Sequence, residues 1–283
     1  MYPSSVINRL AVFAAIGMLL FGCSGGDVGP LELRSDRDAE RYLVIDLVSG
    51  GTRAQATPID PAALKPSEMA AVWVPATDVL LGSPLEEVGH MSDESQYMAS
   101  MAGFYIGVHE VTRAQWQALA GTTPWADVVP GGLVGPDDAA SPAVGMTPAV
   151  AMGRLASFNM QSGRRKNLRL PTEAEWEYAS RAGTTGAFVF GDRRDAGPEW
   201  VIARETRTGN GPEVVGGRRA NAFGLSDCHG NVWEMVQAAD SDGNAVIRGG
   251  SWSDNLVAAR SASRHALPFD RGHATVGLRL VVY

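Results

Sequence analysis

Short apolar runs bounded by glycine, proline and other turn residues recur along the chain, and they are typical of short buried strands. These runs predict strands at residues 42–48, 71–75 and 104–108, and a further strand that ends in a turn at residues 80–84. The glycines that follow residue 48 break the first of these runs. The pattern therefore favours a sheet of short strands.

Three helices are predicted between the apolar runs, because each has a recognisable starting signal. Thr112 with Gln115, and Thr172 with Glu175, have the spacing of a capping box. Pro148 directly follows a threonine, and proline is favoured at the first position of a helix. The chain therefore combines short helices with short strands in one mixed domain.

Composition indicates a globular domain with many loops. Glycine and proline contribute 33 and 16 of the 283 residues, which favours a loop-rich domain over a helical bundle. Hydrophobic residues make up 45% and charged residues 19%, as in soluble globular proteins. The net charge of −7 provides no basic field for nucleic acid, so no nucleic-acid partner is expected.

Residues 1–22 have the features of an export signal. Arg9 supplies a positive charge, and the apolar run from Leu10 to Phe21 is too short to span a bilayer as a mature helix. Cys23 follows that run where a bacterial lipobox has its cysteine, so we expect it to become the lipidated first residue. The alternative is an ordinary cleaved signal with an incidental cysteine.

Lipidation would make the membrane a partner of the chain and would place the protein in the bacterial cell envelope. No aspartate directly follows Cys23, which favours the outer membrane and leaves the periplasmic and surface faces both open. Residues 23–70 are interpreted as a tether with one short strand that could add to a sheet edge. Residues 71–283 are interpreted as the main domain.

Five motifs in the main domain, in a fixed order, carry a resemblance to a known family. They are Gly82-Ser83, Glu110-Val111-Thr112, the segment 170–179 (LPTEAEWEYA), the segment 221–234 (NAFGLSD, then GNVWE) and the segment 248–279 (RGGSW, then GLR). In this order they resemble the formylglycine-generating-enzyme, or sulfatase-modifying factor, family. The resemblance implies a compact, glycine- and loop-rich α+β domain related to C-type lectins.

The resemblance also implies where the family's chemistry would take place. Members that oxidise a substrate cysteine to formylglycine use two cysteines shortly after the GGSW motif, and these cysteines bind copper. The corresponding residues here are Asp254 and Ala259, and neither can supply a thiolate. Cys228 lies elsewhere and is interpreted as a small buried apolar residue. We therefore expect no copper binding and no formylglycine generation, and we assign no catalytic residue.

A structural calcium site is implied by the resemblance in the GNVWE segment. Relatives bind Ca²⁺ there through a side-chain oxygen, two backbone carbonyls and a glutamate, which correspond to Asp227, Gly230, Val232 and Glu234. All four supply the hard oxygen atoms that Ca²⁺ prefers. In the alternative interpretation, Glu234 accepts hydrogen bonds from loop amides.

Motif arginines and tryptophans are assigned to the protein interior. The arginines are expected to form buried structural pairs rather than to bind anionic ligands, and they are Arg260, Arg264 and Arg279. The tryptophans lie within the motifs that build the fold and are expected in its core; they are Trp116, Trp176, Trp233 and Trp252.

The segment between Trp252 and Gly277 is the predicted ligand-binding surface. Fixed family positions alternate there with variable ones, and the side chains expected to contact a ligand are Ser253, Asp254, Asn255, His265, Phe269 and His273. This mixture also resembles the variable region of proteins diversified by retroelements, because each variable residue can be reached from an asparagine codon by changing adenines. Such diversification and ordinary family variation both remain open.

Three functions agree with these observations. A lipid-anchored domain with an exposed loop surface would be a binding or display module for a protein or small-molecule ligand. The second function is a cysteine-independent oxidoreductase, like the family's periplasmic maturation oxidases, and the third is a structural partner in an envelope complex. The binding module is the leading hypothesis, because no acid–base or metal constellation stands out.

Overall fold

The computed structural model describes residues 37–128, 138–161, 166–191 and 194–283. The predicted export signal, residues 1–22, and the proposed lipidation site, Cys23, lie outside these ranges. Within them, no helix is both long enough and apolar enough to cross a membrane.

Short strands and helices alternate with long connections, as the apolar pattern predicts. The strands are β1 (Tyr42–Asp46), β2 (Thr52–Gln55), β3 (Glu68–Val74), β4 (Thr77–Leu81), β5 (Tyr97–Met101), β6 (Phe104–Gly107), β7 (Leu168–Arg169), β8 (Trp233–Ala239), β9 (Ala245–Arg248), β10 (Arg264–Leu267), β11 (Val276–Leu278) and β12 (Val281–Val282). The α-helices are α1 (Arg113–Ala120), α2 (Trp125–Val128), α3 (Pro148–Met160), α4 (Glu173–Arg181) and α5 (Gly197–Trp200). Short 3₁₀ helices cover Asp38–Glu40, Pro61–Ala63, Arg194–Ala196 and Leu256–Ala259.

Two sheets and a hairpin organise these strands. The larger sheet has the order β2-β1-β3-β6-β12-β7, and all its neighbouring strands are antiparallel. The smaller sheet has the order β10-β9-β8-β11, in which β11 runs parallel to β8 and the other pairs are antiparallel. Strands β4 and β5 form a separate hairpin. The fold is therefore α+β; its GNVWE motif leads into β8 of the smaller sheet, and its GGSW motif directly follows β9.

The sequence predicts that the main domain begins at residue 71. In the structure, strand β1, which lies before that residue, belongs to the larger sheet. β1 pairs with β2 on one side and with β3 on the other, so it is an integral strand and not part of a tether. Leu43, Ile45 and Leu47 lie in the same buried cluster as Trp116. β1 thus extends the larger sheet because its apolar side chains are buried, whereas β2 is exposed at the edge of the sheet.

The predicted capping boxes are present at both helix starts. The Thr112 hydroxyl accepts from the Gln115 N–H while the Gln115 side chain accepts from the Thr112 N–H, and Thr172 with Glu175 makes the equivalent pair of bonds. These caps orient α1 and α4 so that Trp116 and Trp176 are fully buried.

Ion pairs of the motif arginines join distant parts of the fold. Those of Arg260 are buried, as predicted, whereas Arg264 and its partner are half-buried. Arg260 contacts Glu94 at 2.8 Å and Glu87 at 2.6 Å, and Arg264 contacts Glu173 at 2.7 Å. A buried charge whose partner is removed costs about 3–5 kcal/mol. These pairs therefore fix the position of the chain that follows the GGSW motif.

Candidate functional site

A tight bend after β9 determines the position of residues 251–255. Gly249 and Gly250 both have positive φ values, 95° and 76°. A Cβ atom on Gly250 would lie 2.9 Å from backbone atoms of Ala258 and Ala259, so a larger residue would require a backbone shift. The two glycines therefore hold this loop close to the 3₁₀ helix that follows it.

Asp254 stands at the first of the two positions where catalytic relatives have cysteine, and two donors hold its carboxylate. The Ser251 hydroxyl lies 2.5 Å from Oδ2 of Asp254, and the indole Nε1 of Trp233 lies 2.8 Å from the same oxygen. A carboxylate bonded in this way is a hydrogen-bond acceptor for the loop. This position has a structural role in the chain.

Ala259 stands at the second cysteine position and is fixed through its carbonyl group. Nδ1 of His229 donates to this oxygen at 2.8 Å, while Nε2 of His229 accepts the Val189 N–H at 3.1 Å. The two bonds require a neutral imidazole with its proton on Nδ1. Burial accordingly lowers the pKa of His229 from 6.5 to about 4.

Trp233 is the centre around which three predicted ligand-binding residues are arranged. Its indole donates to Asp254, and its ring centroid lies 5.9 Å from that of His265 at an interplanar angle of 31°. Its backbone N–H donates to Thr275 O at 2.8 Å, and the Thr275 hydroxyl lies 2.7 Å from Nδ1 of His273. The structure thus connects Asp254 with two exposed histidines through one tryptophan.

The other three predicted ligand-binding residues are placed differently. Asn255 is exposed, but its side chain accepts the Ala258 N–H at 3.1 Å and so caps a 3₁₀ helix. The carbonyl oxygen of Ser253 accepts two bonds from the Arg204 guanidinium, at 3.1 and 2.8 Å. Phe269 is half-buried between β10 and β11. Asn255 and Ser253 therefore shape the loop in addition to any contact with a ligand.

The sequence does not predict the part that Trp233 and Arg207 play in this surface. Trp233 is buried, as predicted, but the polar edge of its indole also orders the surface. The guanidinium of Arg207 lies 5.1 Å from the centroid of the Trp252 ring, and Trp252 itself is only half-buried. No motif includes Arg207, and its approach to Trp252 depends on the path of a long loop that spacing does not predict.

A second group of polar side chains lies in the interior, next to the GNVWE segment. Glu110, Asp227, Glu234 and Arg279 are each at most 3% exposed. Glu234 forms an ion pair with Arg279, with 2.7 Å between Oε1 and Nη2, and accepts the Trp176 indole N–H at 2.7 Å. One guanidinium thus balances one of three neighbouring carboxyl groups.

Glu110 and Asp227 keep carboxyl oxygens that have no hydrogen-bond partner among the described residues. The oxygens without a partner are both oxygens of Glu110 and Oδ1 of Asp227. The other oxygen of Asp227, Oδ2, accepts the Gly216 N–H at 2.5 Å. Burial raises the pKa of Asp227 to about 6. Burial and the charge of Asp227 raise the pKa of Glu110 well above its usual range. Such buried oxygens need protons or a cation.

The main chain of the GNVWE segment is held on two sides. Gly230 has a φ of 87°, and its N–H donates to Gly249 O at 2.7 Å. A Cβ atom there would lie 2.1 Å from Ile202 O, so only glycine fits. Val232 is fully buried. The segment therefore connects the GGSW bend with the 201–203 region.

Among the four predicted calcium ligands, the two carboxylates differ in whether their oxygens already have hydrogen-bond partners. Oδ1 of Asp227 has no other partner and fits a cation, but both oxygens of Glu234 accept from Arg279. In the part of the chain that the structure covers, no three Asp, Glu, His or Cys side chains converge as a metal site. Within the described ranges, the carboxyl oxygens that lack a partner are therefore on Asp227 and Glu110, whereas both oxygens of Glu234 already accept from Arg279.

Several known proteins are similar to this chain. A family model for the sulfatase-modifying factor enzyme 1-like domain matches residues 56–283. The formylglycine-generating enzyme of Streptomyces coelicolor is 27% identical over 195 residues, which is 63% of this chain and 59% of that protein. The formylglycine-generating enzyme of Mycobacterium tuberculosis is 42% identical over 80 residues, 24% of this chain and 26% of that protein.

A further relative is the inactive C-alpha-formylglycine-generating enzyme 2 of Bos taurus. It is 38% identical over 100 residues, 30% of this chain and 33% of that protein. The chain thus spans between about a quarter and three-fifths of the length of these three curated relatives.

Two solved structures share the fold. Treponema denticola variable protein 1 superposes with a TM-score of 0.65 at 20% identity, covering 80% of this chain and 99% of that one. PvdO from Pseudomonas aeruginosa superposes with a TM-score of 0.65 at 26% identity, covering 77% and 95%. These matches confirm the predicted α+β fold of formylglycine-generating-enzyme type. The chain belongs to the formylglycine-generating-enzyme, or sulfatase-modifying factor, family, as a member that lacks the catalytic cysteine pair.

Proposed function

We propose that this chain is a ligand-binding domain, displayed on the bacterial outer membrane by a lipid anchor, and that its ligand contacts the surface around Trp233. The main support is the identity of the two residues at the positions where catalytic relatives have cysteine. They are Asp254, whose carboxylate is hydrogen-bonded within the loop, and the buried Ala259. Without thiolates these positions cannot bind copper as the family does. The exposed His265 next to Trp233, and the exposed His273 that contacts Thr275, are available to a ligand.

The first test of this proposal measures turnover. Full-length protein, purified from membranes in detergent, is incubated with copper, dioxygen and a peptide that carries the sulfatase cysteine motif. Mass spectrometry should show that the peptide thiol is unchanged. An aldehyde that appears on the peptide only when this protein is present would refute the proposal.

The second test measures binding with defined probes. The same protein is applied to an array of glycans and to an array of synthetic peptides, and at least one probe should be retained. His265→Ala should abolish retention, because it removes a ring from the Trp233 surface. Tyr97→Ala, which removes an exposed aromatic side chain from the β4–β5 hairpin, should leave retention unchanged. Equal loss in both variants would argue against a specific surface.

A cysteine-independent oxidoreductase is the second candidate, and the structural match to PvdO favours it. The gene neighbourhood separates the two candidates. A siderophore gene cluster would favour the oxidoreductase, whereas a reverse transcriptase gene with a near-copy repeat of codons 253–275 would favour a diversified binding surface.

We also propose that a structural Ca²⁺ ion offsets the buried negative charge of Asp227 and Glu110. A site that binds only the folded protein stabilises it by about 2.7 kcal/mol at a hundredfold excess over Kd, so Ca²⁺ should raise Tm by several degrees relative to chelator. Asp227→Asn should remove this shift, and Asp254→Asn should keep it. A Tm that changes with neither Ca²⁺ nor chelator would exclude the site. Glu234 is a poor target, because its removal leaves Arg279 unpaired.

A further inference from the structure

Three side-chain donors near the Trp233 surface are shielded from solvent and have no hydrogen-bond partner among the described residues. They are Nη1 of Arg207, Nε of Arg218 and Nε1 of Trp252. A buried donor that is left unsatisfied costs about 1–3 kcal/mol. Their occurrence together therefore indicates an acceptor that the chain itself does not provide.

Two of these donors belong to side chains in direct contact, and the third lies beside them. The Arg207 guanidinium lies 5.1 Å from the centroid of the Trp252 ring. Nη2 of Arg218 approaches the carbonyl oxygen of Thr206, the residue before Arg207, at 3.4 Å. The three side chains are thus linked through residues 206 and 207.

An ion pair and two hydrogen bonds connect this arrangement to the GGSW loop. Arg218 pairs with Glu213 at 2.9 Å, and the Glu213 N–H donates to Oδ1 of Asn231 at 2.9 Å. The carbonyl oxygen of Asn231 in turn accepts the Trp252 N–H at 2.8 Å. Asn231 is fully buried, so the connection between Arg218 and Trp252 is rigid.

The two arginines differ in whether a carboxylate neutralises them. Arg218 is neutralised by Glu213, but Arg207 has no carboxylate within ion-pair distance among the residues that the structure covers. Arg204, on the same segment, directs its guanidinium to the carbonyl oxygen of Ser253. An unneutralised guanidinium beside unused N–H donors is the arrangement that recognises oxoanions.

We propose that Arg207, Arg218 and Trp252 form a subsite for an oxoanion group of the ligand, such as a carboxylate, sulfate or phosphate. Arg207 and Trp252 are only half-buried, so part of each side chain reaches the surface where a ligand would bind. The subsite adjoins Ser253 and Asp254 of the predicted surface. The inference rests on the proposed binding function and specifies the chemistry of its ligand.

Isothermal titration calorimetry of the full-length protein with sodium sulfate, sodium phosphate and sodium acetate, at constant ionic strength, tests the subsite. At least one anion should bind saturably to the wild-type protein. Arg207→Met should weaken this binding by about tenfold or more, because one charge-assisted hydrogen bond is worth at least about 1.4 kcal/mol. A wild-type protein that binds none of the three anions overturns the proposal.

Arg219→Met is the matched control. Arg219 lies 4.6 Å from the centroid of the Trp200 ring and pairs with Glu199 at 2.9 Å, so it repeats the arginine–tryptophan contact on the same loop with its charge neutralised. Anion binding should be unchanged in this variant. Equal weakening in Arg219→Met and Arg207→Met would show a general loss of positive charge and would overturn the subsite.

Trp252→Phe provides a second variant if Arg207→Met does not fold by circular dichroism. It removes the Nε1 donor and keeps an aromatic ring under Arg207, so anion affinity should fall several-fold while the fold is retained. Unchanged affinity would overturn the subsite. Array binding without any anion response would remove the subsite alone, whereas formylglycine formation on the peptide would remove the proposed function.

Discussion

Acid should destabilise the domain through one buried histidine, and the contacts of His229 show why. Its Nδ1 donates to Ala259 O and its Nε2 accepts the Val189 N–H, so both ring nitrogens are used by the neutral form. A second proton on Nε2 would replace an acceptor by a donor that faces the Val189 N–H. The cationic imidazole would also lie in an apolar environment beside Phe188.

The magnitude follows from the pKa of His229, which burial lowers from 6.5 to about 4. Between these two values the unfolded chain binds a proton that the folded protein does not bind, so stability falls as the pH is lowered through this interval. The full effect is about 3 kcal/mol below pH 4, and about 2 kcal/mol is already lost near pH 5.

Urea denaturation of wild-type protein and His229→Gln over this pH interval measures the effect. The glutamine amide can donate to Ala259 O and accept from Val189, but it does not titrate. The wild type should lose about 2 kcal/mol relative to the variant between about pH 7 and pH 5. His109, whose pKa burial also lowers to about 4, acts equally in both proteins and cancels. Parallel pH dependences in the two proteins would refute the reasoning.

Three further predictions concern the anchor, a backbone bend and an ion pair. Cys23→Ser should release the protein into soluble fractions and abolish palmitate labelling, and fractionation like the wild type would contradict the lipid anchor. Gly230→Ala should cost at least about 2 kcal/mol in chemical denaturation, because its φ is positive and a backbone oxygen lies 2.1 Å from the added Cβ. Gly216→Ala, at a φ of 74° with open space around it, should cost about 1 kcal/mol, and equal costs would contradict the steric argument. Arg260→Met should lower the free energy of unfolding by about 3–5 kcal/mol, because it leaves Glu94 buried without its partner; a loss below about 1 kcal/mol would show that the pair is not needed.

Local signals in the sequence predict local structure well. The capping boxes at Thr112 and Thr172 are present with both of their reciprocal bonds, because such caps involve residues only three positions apart. The predicted strands at 42–48 and 71–75 are also found, with somewhat different ends. What the sequence does not predict is that these two strands pair, because strand pairing depends on contacts between distant segments.

The candidate site shows the same division between residue type and spatial partner. The sequence identifies Glu234 within the GNVWE motif and Asp227 shortly before it as acidic residues. It does not show that Glu234 forms an ion pair with Arg279. Glu110 is 117 positions from Asp227 in the chain, so no spacing rule connects the two. The contact between Arg207 and Trp252 is equally non-local. Motif resemblance therefore indicates the family, whereas the partners of each charge require the structure.

The position of β12 has a consequence for how the chain acquires its fold. Residues 281–282 form an inner strand of the larger sheet, between β6 and β7, and β6 lies more than half the sequence away. The pairings of β12 with β6 and with β7 therefore cannot form until residues 281–282 are available. Pairings over such distances delay folding to milliseconds or seconds, because loop closure precedes the contacts that reward it. The strands β2, β1, β3 and β6 pair without β12, and in the part of the chain that the structure describes β7 pairs only with β12, so β12 and then β7 should join the larger sheet last.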